Sequence, residues 1–91
     1  MAIVAIFEVP GMTTDQYDQV IQALADAGQE HPEGRIQHMG ATMDGGMVAI
    51  DTWESEEHLG QFAETLMPIL IQAGAQPPQS RVYPVRAILT D

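Results

Sequence analysis

The feature that most constrains the fold is Asp44-Gly45-Gly46, which is flanked on both sides by strand-like residues. Residues 35–43 and 47–53 are the two runs, and an Asp-Gly pair between such runs is a strong signal for a β-hairpin. A two-residue turn would also fix which residues of the two strands share a face of the sheet. A three-residue turn would break this pairing, so the assignment of faces depends on the turn.

With a two-residue turn, the hairpin has one almost wholly apolar face and one mixed face. The apolar face consists of Met39, Ala41, Met43, Val48, Ile50 and Thr52. The mixed face consists of Ile36, His38, Gly40, Thr42, Met47, Ala49, Asp51 and Trp53. We expect the apolar face to pack on the helices. The mixed face is too apolar for solvent and too polar for a core, which indicates the wall of a dimer cavity.

The remaining elements follow from periodicity and from residues that start or stop them. Residues 2–9 form a strand that ends at Pro10-Gly11. Thr13 and Gln16 are spaced as a capping box for a first helix with an apolar stripe. A second helix follows Ser55, and Pro68 implies either a kink or a separate short helix. Residues 81–89 form the last strand, in which Pro84 requires an edge position or a bulge.

This β-α-β-β-α-β order predicts one α+β domain of ferredoxin-like topology over residues 1–91. Both helices then pack on one face of a four-stranded antiparallel sheet. On the outer strands, we expect two sets to face the cavity: Val4, Ile6 and Glu8, and Val82, Pro84, Arg86 and Ile88. We expect the alternating residues to face the helices: Ile3, Ala5 and Phe7, and Tyr83, Val85 and Ala87.

The charge balance argues against two classes of partner. The chain has 13 acidic residues against 3 basic ones, for a net charge of −10. Such a chain repels phosphate backbones and anionic lipid, so we expect neither nucleic acid nor a membrane as partner. The absence of Cys excludes thiolate chemistry and disulfides. The sequence has no recognisable metal-ligand spacing and no secretory signal pattern, so we expect a cytoplasmic, metal-free protein.

The chain resembles the dimeric α/β-barrel superfamily, close to the antibiotic biosynthesis monooxygenase-like group. The matching segments are Val9-Pro10-Gly11-Met12-Thr13, residues 38–46, Asp51-Thr52-Trp53-Glu54-Ser55, Leu66-Met67-Pro68 and residues 82–89. The resemblance implies a homodimer whose sheets meet face to face. It also implies one ligand site per subunit, between the sheet and its helices or inside the barrel, for a small apolar or aromatic molecule.

The mixed face and the last strand supply the candidate catalytic residues. His38 is a candidate general base, with Asp51 opposite it in the hairpin to orient it. Arg86 is a candidate for stabilising anionic charge, or for a structural ion pair with Glu8. For each there is also a purely structural interpretation, such as a buried His that is hydrogen-bonded to a neighbour.

The resemblance also implies a role for Trp53 in substrate binding. In quinol and haem monooxygenases of this superfamily, a Trp near the end of the third strand lines the pocket, and Trp53 has a similar place; the alternative is a packing Trp. The other predicted substrate-binding residues are Glu8, Tyr17, Ile36 and Met47.

No cofactor is expected. Haem-degrading relatives carry an axial His on the second helix, where His58 stands. However, the spacing from Trp53 to His58 is short for that set. The Asn that those enzymes use on the first strand is replaced by Glu8 or Phe7.

The predicted function is a cofactor-independent monooxygenase that acts on an aromatic or polyketide-type molecule. The alternatives are a non-catalytic ligand-binding or accessory dimer, and a cyclase or isomerase on the same fold.

Overall fold

The computed structural model describes residues 1–90, which form the predicted β-α-β-β-α-β order. The elements are β1 (Ile3–Pro10), α1 (Thr14–Asp26), β2 (Arg35–Met43), β3 (Gly46–Trp53), α2 (Glu56–Gln72) and β4 (Gln79–Pro84). The four strands make one antiparallel sheet in the order β2-β3-β1-β4. The ferredoxin-like topology predicted from the sequence is therefore confirmed.

Both helices begin at the predicted capping residues. Thr13 Oγ1 accepts the Gln16 N–H at 3.1 Å, and the Gln16 side chain accepts the Thr13 N–H at 3.0 Å, which completes the capping box. Ser55 caps α2 by accepting the His58 N–H. Pro68 lies inside α2 without ending it, so α2 is a single helix rather than two. Within residues 1–90, neither helix is long and apolar enough to cross a lipid bilayer.

The hairpin has the predicted two-residue turn. Met43 pairs with Gly46, which leaves Asp44 and Gly45 as the connection, and Gly45 has a φ of +76° that suits glycine. His38 consequently pairs with Asp51. The prediction of which residues share a face is correct for the paired part of the hairpin.

The prediction of which face meets the helices was wrong. The mixed face lies under α1 and α2, and there Asp51 is 3% exposed and Trp53 is fully buried. The apolar face is the uncovered one, and Met39 on it is 50% exposed. The mixed set tolerates burial because its polar atoms hydrogen-bond to one another, so they need no solvent.

The last strand also departs from the expectation. It ends at Pro84 rather than at residue 89, and the Val85 N–H then donates to the Ala2 carbonyl. Val82 pairs with Ala5 and Tyr83 with Val4, so Val82 faces the helices and Tyr83 does not, the reverse of the prediction. The prediction holds for β1, where Ala5 is buried under the helices. Pro84 lies on an edge strand, as expected.

The sheet therefore has a covered face and an open face. The core under the helices consists of Ile3, Ala5, Val9, Met12, Val20, Leu24, Met47, Trp53, Phe62 and Leu70. The open face, the side of the sheet without helices, carries Val4, Ile6, Met39, Ala41, Met43, Val48, Ile50 and Tyr83. On this open face Glu8 and Arg81 form a partly exposed ion pair at 3.3 Å.

Candidate functional site

A line of four hydrogen-bonded side chains runs from α1 into the sheet. The Tyr17 hydroxyl lies 2.6 Å from His38 Nε2, and His38 Nδ1 lies 2.5 Å from Asp51 Oδ1. Trp53 Nε1 donates to the other oxygen, Asp51 Oδ2, at 3.4 Å. Because the carboxylate accepts from Nδ1–H, Nε2 of the neutral ring is the acceptor for the Tyr17 O–H. The line therefore ends at the Tyr17 hydroxyl, which is bonded to the basic imidazole nitrogen.

Asp51 is the buried anchor of this line. A buried carboxylate is stable only when donors meet its oxygens, and His38 and Trp53 supply one each. Trp53 is itself held by Phe62, whose ring centroid lies 5.1 Å away. The imidazole is thereby fixed in orientation and tautomer, as a general base requires.

Gly40 makes room for the tyrosine. Gly40 lies two residues beyond His38 on the same face of β2. A methyl group at this position would fall 2.6 Å from Tyr17 Cζ. The missing side chain therefore lets the phenol lie flat against the strand, nearly parallel to the His38 ring with an interplanar angle of 11°.

A β-bulge brings Arg35 to the same face as His38. Arg35 pairs with Trp53 and Gln37 with Thr52, so Ile36 is an extra residue in β2. Without the bulge, Arg35 would point to the open face. With it, the guanidinium lies beside the site and donates to the Glu30 carbonyl at 2.9 Å.

Tyr17, His38 and Arg35 line two neighbouring spaces. An inner cavity of about 70 Å³ lies between the sheet and the helices. Its apolar wall includes Phe7, Val20, Leu24, Ala49, Phe62 and Leu66. An outer cleft of about 410 Å³ lies between α1 and β2 and is also lined by Asp18, Gln22, Gln29 and Glu30. The Tyr17–His38 end of the hydrogen-bonded line thus stands between an outer cleft and an apolar cavity.

Burial changes the acidity of the tyrosine. Partial burial raises the pKa of Tyr17 above its ordinary 10.0, and the negative charge of Asp51 raises it further. Arg35 acts in the opposite direction, and Asp18 adds a smaller upward effect. The hydroxyl therefore stays protonated at neutral pH and acts as a hydrogen-bond donor to His38.

The structure brings together three of the predicted site residues: Tyr17, His38 and Asp51. Trp53 lies behind Asp51 instead of lining a cavity. Met47 is a core residue, 6% exposed.

The other three predicted residues lie away from the site. Ile36 is placed outside by the bulge and is 50% exposed. Glu8 is on the open face, paired with Arg81 rather than Arg86. Arg86 follows β4, so the shorter strand leaves it exposed beside Val4 and Thr52.

Arg35 is the site residue that sequence reasoning missed. It is one of only three basic residues outside the histidines, which is a weak signal for a site. Its side-chain direction depends on the bulge, and nothing in the sequence around Ile36 specifies one. Within residues 1–90, no three acidic or histidine side chains converge as a metal-binding group.

Several solved structures share this architecture. A protein from Chloroflexus aurantiacus, provisionally named an antibiotic biosynthesis monooxygenase, matches 99% of this chain and 98% of its own, at 12% identity and a TM-score of 0.71. SnoaB, a cofactor-independent oxygenase from Streptomyces nogalater, matches 99% and 96%, at 18% identity and 0.64. Rv0793 from Mycobacterium tuberculosis matches 100% and 98%, at 19% identity and 0.59.

These likenesses confirm the resemblance inferred from the sequence at the level of the fold. The chain has the fold of antibiotic biosynthesis monooxygenase proteins over nearly its whole length. No protein-family model matches the sequence, and no curated protein matches it.

Proposed function

We propose that this protein is a cofactor-independent oxygenase that deprotonates an aromatic, polyketide-type substrate in the outer cleft. The observation that carries the proposal is the line Tyr17–His38–Asp51, which presents a fixed imidazole base between a cleft and an apolar cavity. The likeness to SnoaB supports the reaction class without assigning it.

The proposed oxygenation begins with removal of a proton from the substrate, so its first requirement is a general base. A phenolic substrate with an acidic ring C–H becomes electron-rich when it loses a proton, and its carbanion or phenolate can then reduce dioxygen directly. The overall reaction is R₂CH₂ + O₂ → R₂C=O + H₂O. The substrate is the reductant, one oxygen atom forms the new carbonyl, and the other leaves as water. The protein has to remove the proton and stabilise the resulting anion.

Tyr17 is proposed as the relay between substrate and base. Its hydroxyl already occupies the position at His38 Nε2 that an incoming proton must reach. A substrate in the cleft donates its proton to the Tyr17 oxygen as Tyr17 passes its own to His38. Asp51 stabilises the imidazolium that forms. Arg35 lines both spaces and is the nearest positive charge for the substrate anion.

The dimensions of the cleft suit a substrate of two or three fused rings. Ligand pockets for molecules of that size have volumes of about 300–1,000 Å³, and the outer cleft has about 410 Å³. The inner cavity, at about 70 Å³, does not admit a ring.

The test is dissolved-oxygen consumption with a tricyclic phenolic anthrone as probe, corrected for autoxidation. We expect His38→Asn to lower the rate by about 10²- to 10⁴-fold, as loss of a general base does. Asn keeps a donor for the buried Asp51, which protects the fold. His31→Asn is the matched control because His31 is exposed and outside both spaces. An equal rate in His38→Asn and the control would refute the base assignment.

A cyclase or isomerase is the second candidate, because proton transfer from the same base would serve it equally well. The two reactions differ in stoichiometry. Conversion of substrate without oxygen uptake would favour the isomerase. A substrate panel that is bound but never converted would favour a non-catalytic ligand-binding module.

We further infer that the protein pairs with a second copy through the open face. Exposed apolar side chains there include Met39 and Tyr83, at 50% and 49% exposure. A sheet face of this kind is usually covered in the working protein. The line of the candidate site lies on the other side of the sheet, so each subunit would carry its own site.

A further inference from the structure

We propose that the inner cavity is a binding site for dioxygen, separate from the place of the organic substrate. This inference rests on the proposed oxygenase function and names where its second reactant is held. The cavity lies under α1 and α2, and Tyr17 and His38 line both the cavity and the outer cleft.

The size of the cavity selects a very small occupant. Its volume of about 70 Å³ is about half that of a cavity that accepts benzene, roughly 150 Å³. It is nevertheless several times the roughly 10–15 Å³ that a single water molecule requires. A two-atom molecule fits where an aromatic ring does not.

The wall of the cavity favours an apolar occupant over water. Most of the lining is hydrocarbon, from residues such as Val20, Leu24 and Leu66. A buried water needs two to four polar partners. The polar groups at the cavity wall already have partners: Tyr17 bonds to His38, and His38 bonds to Asp51. Arg35 donates to the Glu30 carbonyl. Within residues 1–90, no buried side-chain nitrogen or oxygen is left without a partner. Dioxygen needs no hydrogen bonds and loses little by leaving water.

The cavity lies next to the proposed position of the organic substrate. A substrate in the outer cleft touches Tyr17, His38 and Arg35, and the same three residues border the inner cavity. Dioxygen held there meets the ring that has just lost its proton. It accepts the electrons of the substrate anion, and one oxygen atom bonds to carbon as the reaction above requires.

The direct test uses dioxygen itself, which is paramagnetic and speeds the relaxation of nearby nuclei. We would compare methyl NMR spectra of the whole protein under oxygen and under nitrogen pressure, with no substrate. We expect enhanced relaxation of the methyl groups of Val20, Leu24 and Leu66. The Ile3 methyl groups are the internal control, because Ile3 is as buried as Val20 and Leu24, at 4% exposure, and lies outside the cavity wall.

Filling the cavity is the second part of the test. Ala49→Leu adds three carbon atoms to the cavity wall, and Val20→Leu is the gentler alternative should the first variant fold poorly. Ala27→Leu is the matched control, since Ala27 is exposed. We expect the filled variants to lose the relaxation effect and to show a KM for oxygen raised by roughly tenfold, the effect of losing about 1.4 kcal/mol of contact. Their kcat at saturating oxygen should remain close to the original.

The outcomes separate this inference from the proposed function. Equal relaxation of cavity and Ile3 methyls, or an unchanged KM for oxygen in both filled variants, would overturn the dioxygen site. Loss of the relaxation effect in Ala49→Leu, together with a raised KM for oxygen, supports it. If oxygen relaxes the cavity methyls but His38→Asn keeps full activity, the cavity site stands and the assigned base fails.

Discussion

At the scale of single residues, the site is built from polar side chains that share one buried line. Asp51 is a carboxylate almost without solvent contact, and it is stable there because His38 and Trp53 each donate to it. The reactive end of the line is the His38–Tyr17 contact, which is half-buried. We therefore expect activity to depend mainly on Tyr17 and His38, and stability mainly on Asp51 and Trp53.

Removing the tyrosine hydroxyl tests the relay. We expect Tyr17→Phe to lower oxygen consumption by about 10- to 100-fold, less than the loss of His38, because His38 Nε2 remains to take a proton directly. The phenyl ring keeps the packing, so the free energy of unfolding should fall only by the contribution of the hydrogen bond to His38, about 0.5–1.5 kcal/mol. A Tyr17→Phe variant with undiminished activity would show that substrate donates straight to His38.

The raised pKa of Tyr17 predicts a pH dependence of stability. The unfolded chain releases the Tyr17 proton near its ordinary pKa of 10.0, whereas in the folded protein burial and the charge of Asp51 delay that release. The unfolded state therefore binds fewer protons above that pH, and the free energy of unfolding falls as the pH rises.

Urea unfolding of the wild type and Tyr17→Phe at about pH 8 and about pH 11 measures this effect. The contribution of Tyr17 should be fully present at the lower pH and reduced at the higher one. An equal loss of stability in both proteins would contradict the assignment.

At the scale of elements, β2 determines the geometry of the site through two local features. The bulge at Ile36 turns Arg35 towards His38, and Gly40 leaves space for the Tyr17 ring. The bulge and the glycine thus set the positions of the Arg35 and Tyr17 side chains, and the order of the strands in the sheet stays the same.

Two glycine-to-alanine variants separate the role of Gly40 from general backbone effects. Gly40→Ala should push the Tyr17 phenol off His38 and lower activity about as much as Tyr17→Phe, since a methyl there meets the phenol. Gly60→Ala lies in α2 with open space around it, so we expect it to keep activity and raise stability by roughly 0.5–1 kcal/mol. Oxygen consumption and urea unfolding measure both. Full activity in Gly40→Ala would contradict the proposed role of this glycine.

The sequence was informative about pairing and misleading about burial. The Asp44-Gly45 turn correctly predicted that His38 pairs with Asp51, because two-residue turns fix the register. It did not reveal which face of the sheet the helices cover. The polar residues His38 and Asp51 made the mixed face look unsuited to a core, because their hydrogen-bond partners could not be identified from the sequence. The partner that decides the matter is Tyr17, which reaches His38 from a different element. Long-range contacts and bulges of this kind have no local signature.

At the scale of the whole molecule, the two faces of the sheet differ in what covers them. The helix-covered face holds the candidate site, whereas the open face carries mainly apolar side chains, among them β-branched residues and methionines. The exposed Glu8–Arg81 pair on this face contributes at most about 1 kcal/mol to stability. It can nonetheless fix the orientation of a second copy.

A charge placed on the open face should separate the proposed dimer without damaging the fold. We expect native mass spectrometry to find a dimer for the wild type and a monomer for Met39→Asp. Ile71→Asp is the matched control, because Ile71 is 73% exposed on α2 and off the open face. A monomeric wild type, or a dimeric Met39→Asp, would count against pairing through this surface. The monomer should retain the hydrogen-bonded line, which lies on the other side of the sheet.

The bond from Trp53 to Asp51 has a practical consequence. Trp53 is the sole tryptophan of the chain, and its indole N–H touches the carboxylate that supports His38. Indole fluorescence responds to nearby charge and hydrogen bonding, so Trp53 is an intrinsic optical reporter of the His38–Asp51 pair. Proton arrival at His38 would change the field at the indole and shift its emission. Stopped-flow fluorescence could then time the deprotonation step under nitrogen, with no label and before any oxygen is admitted.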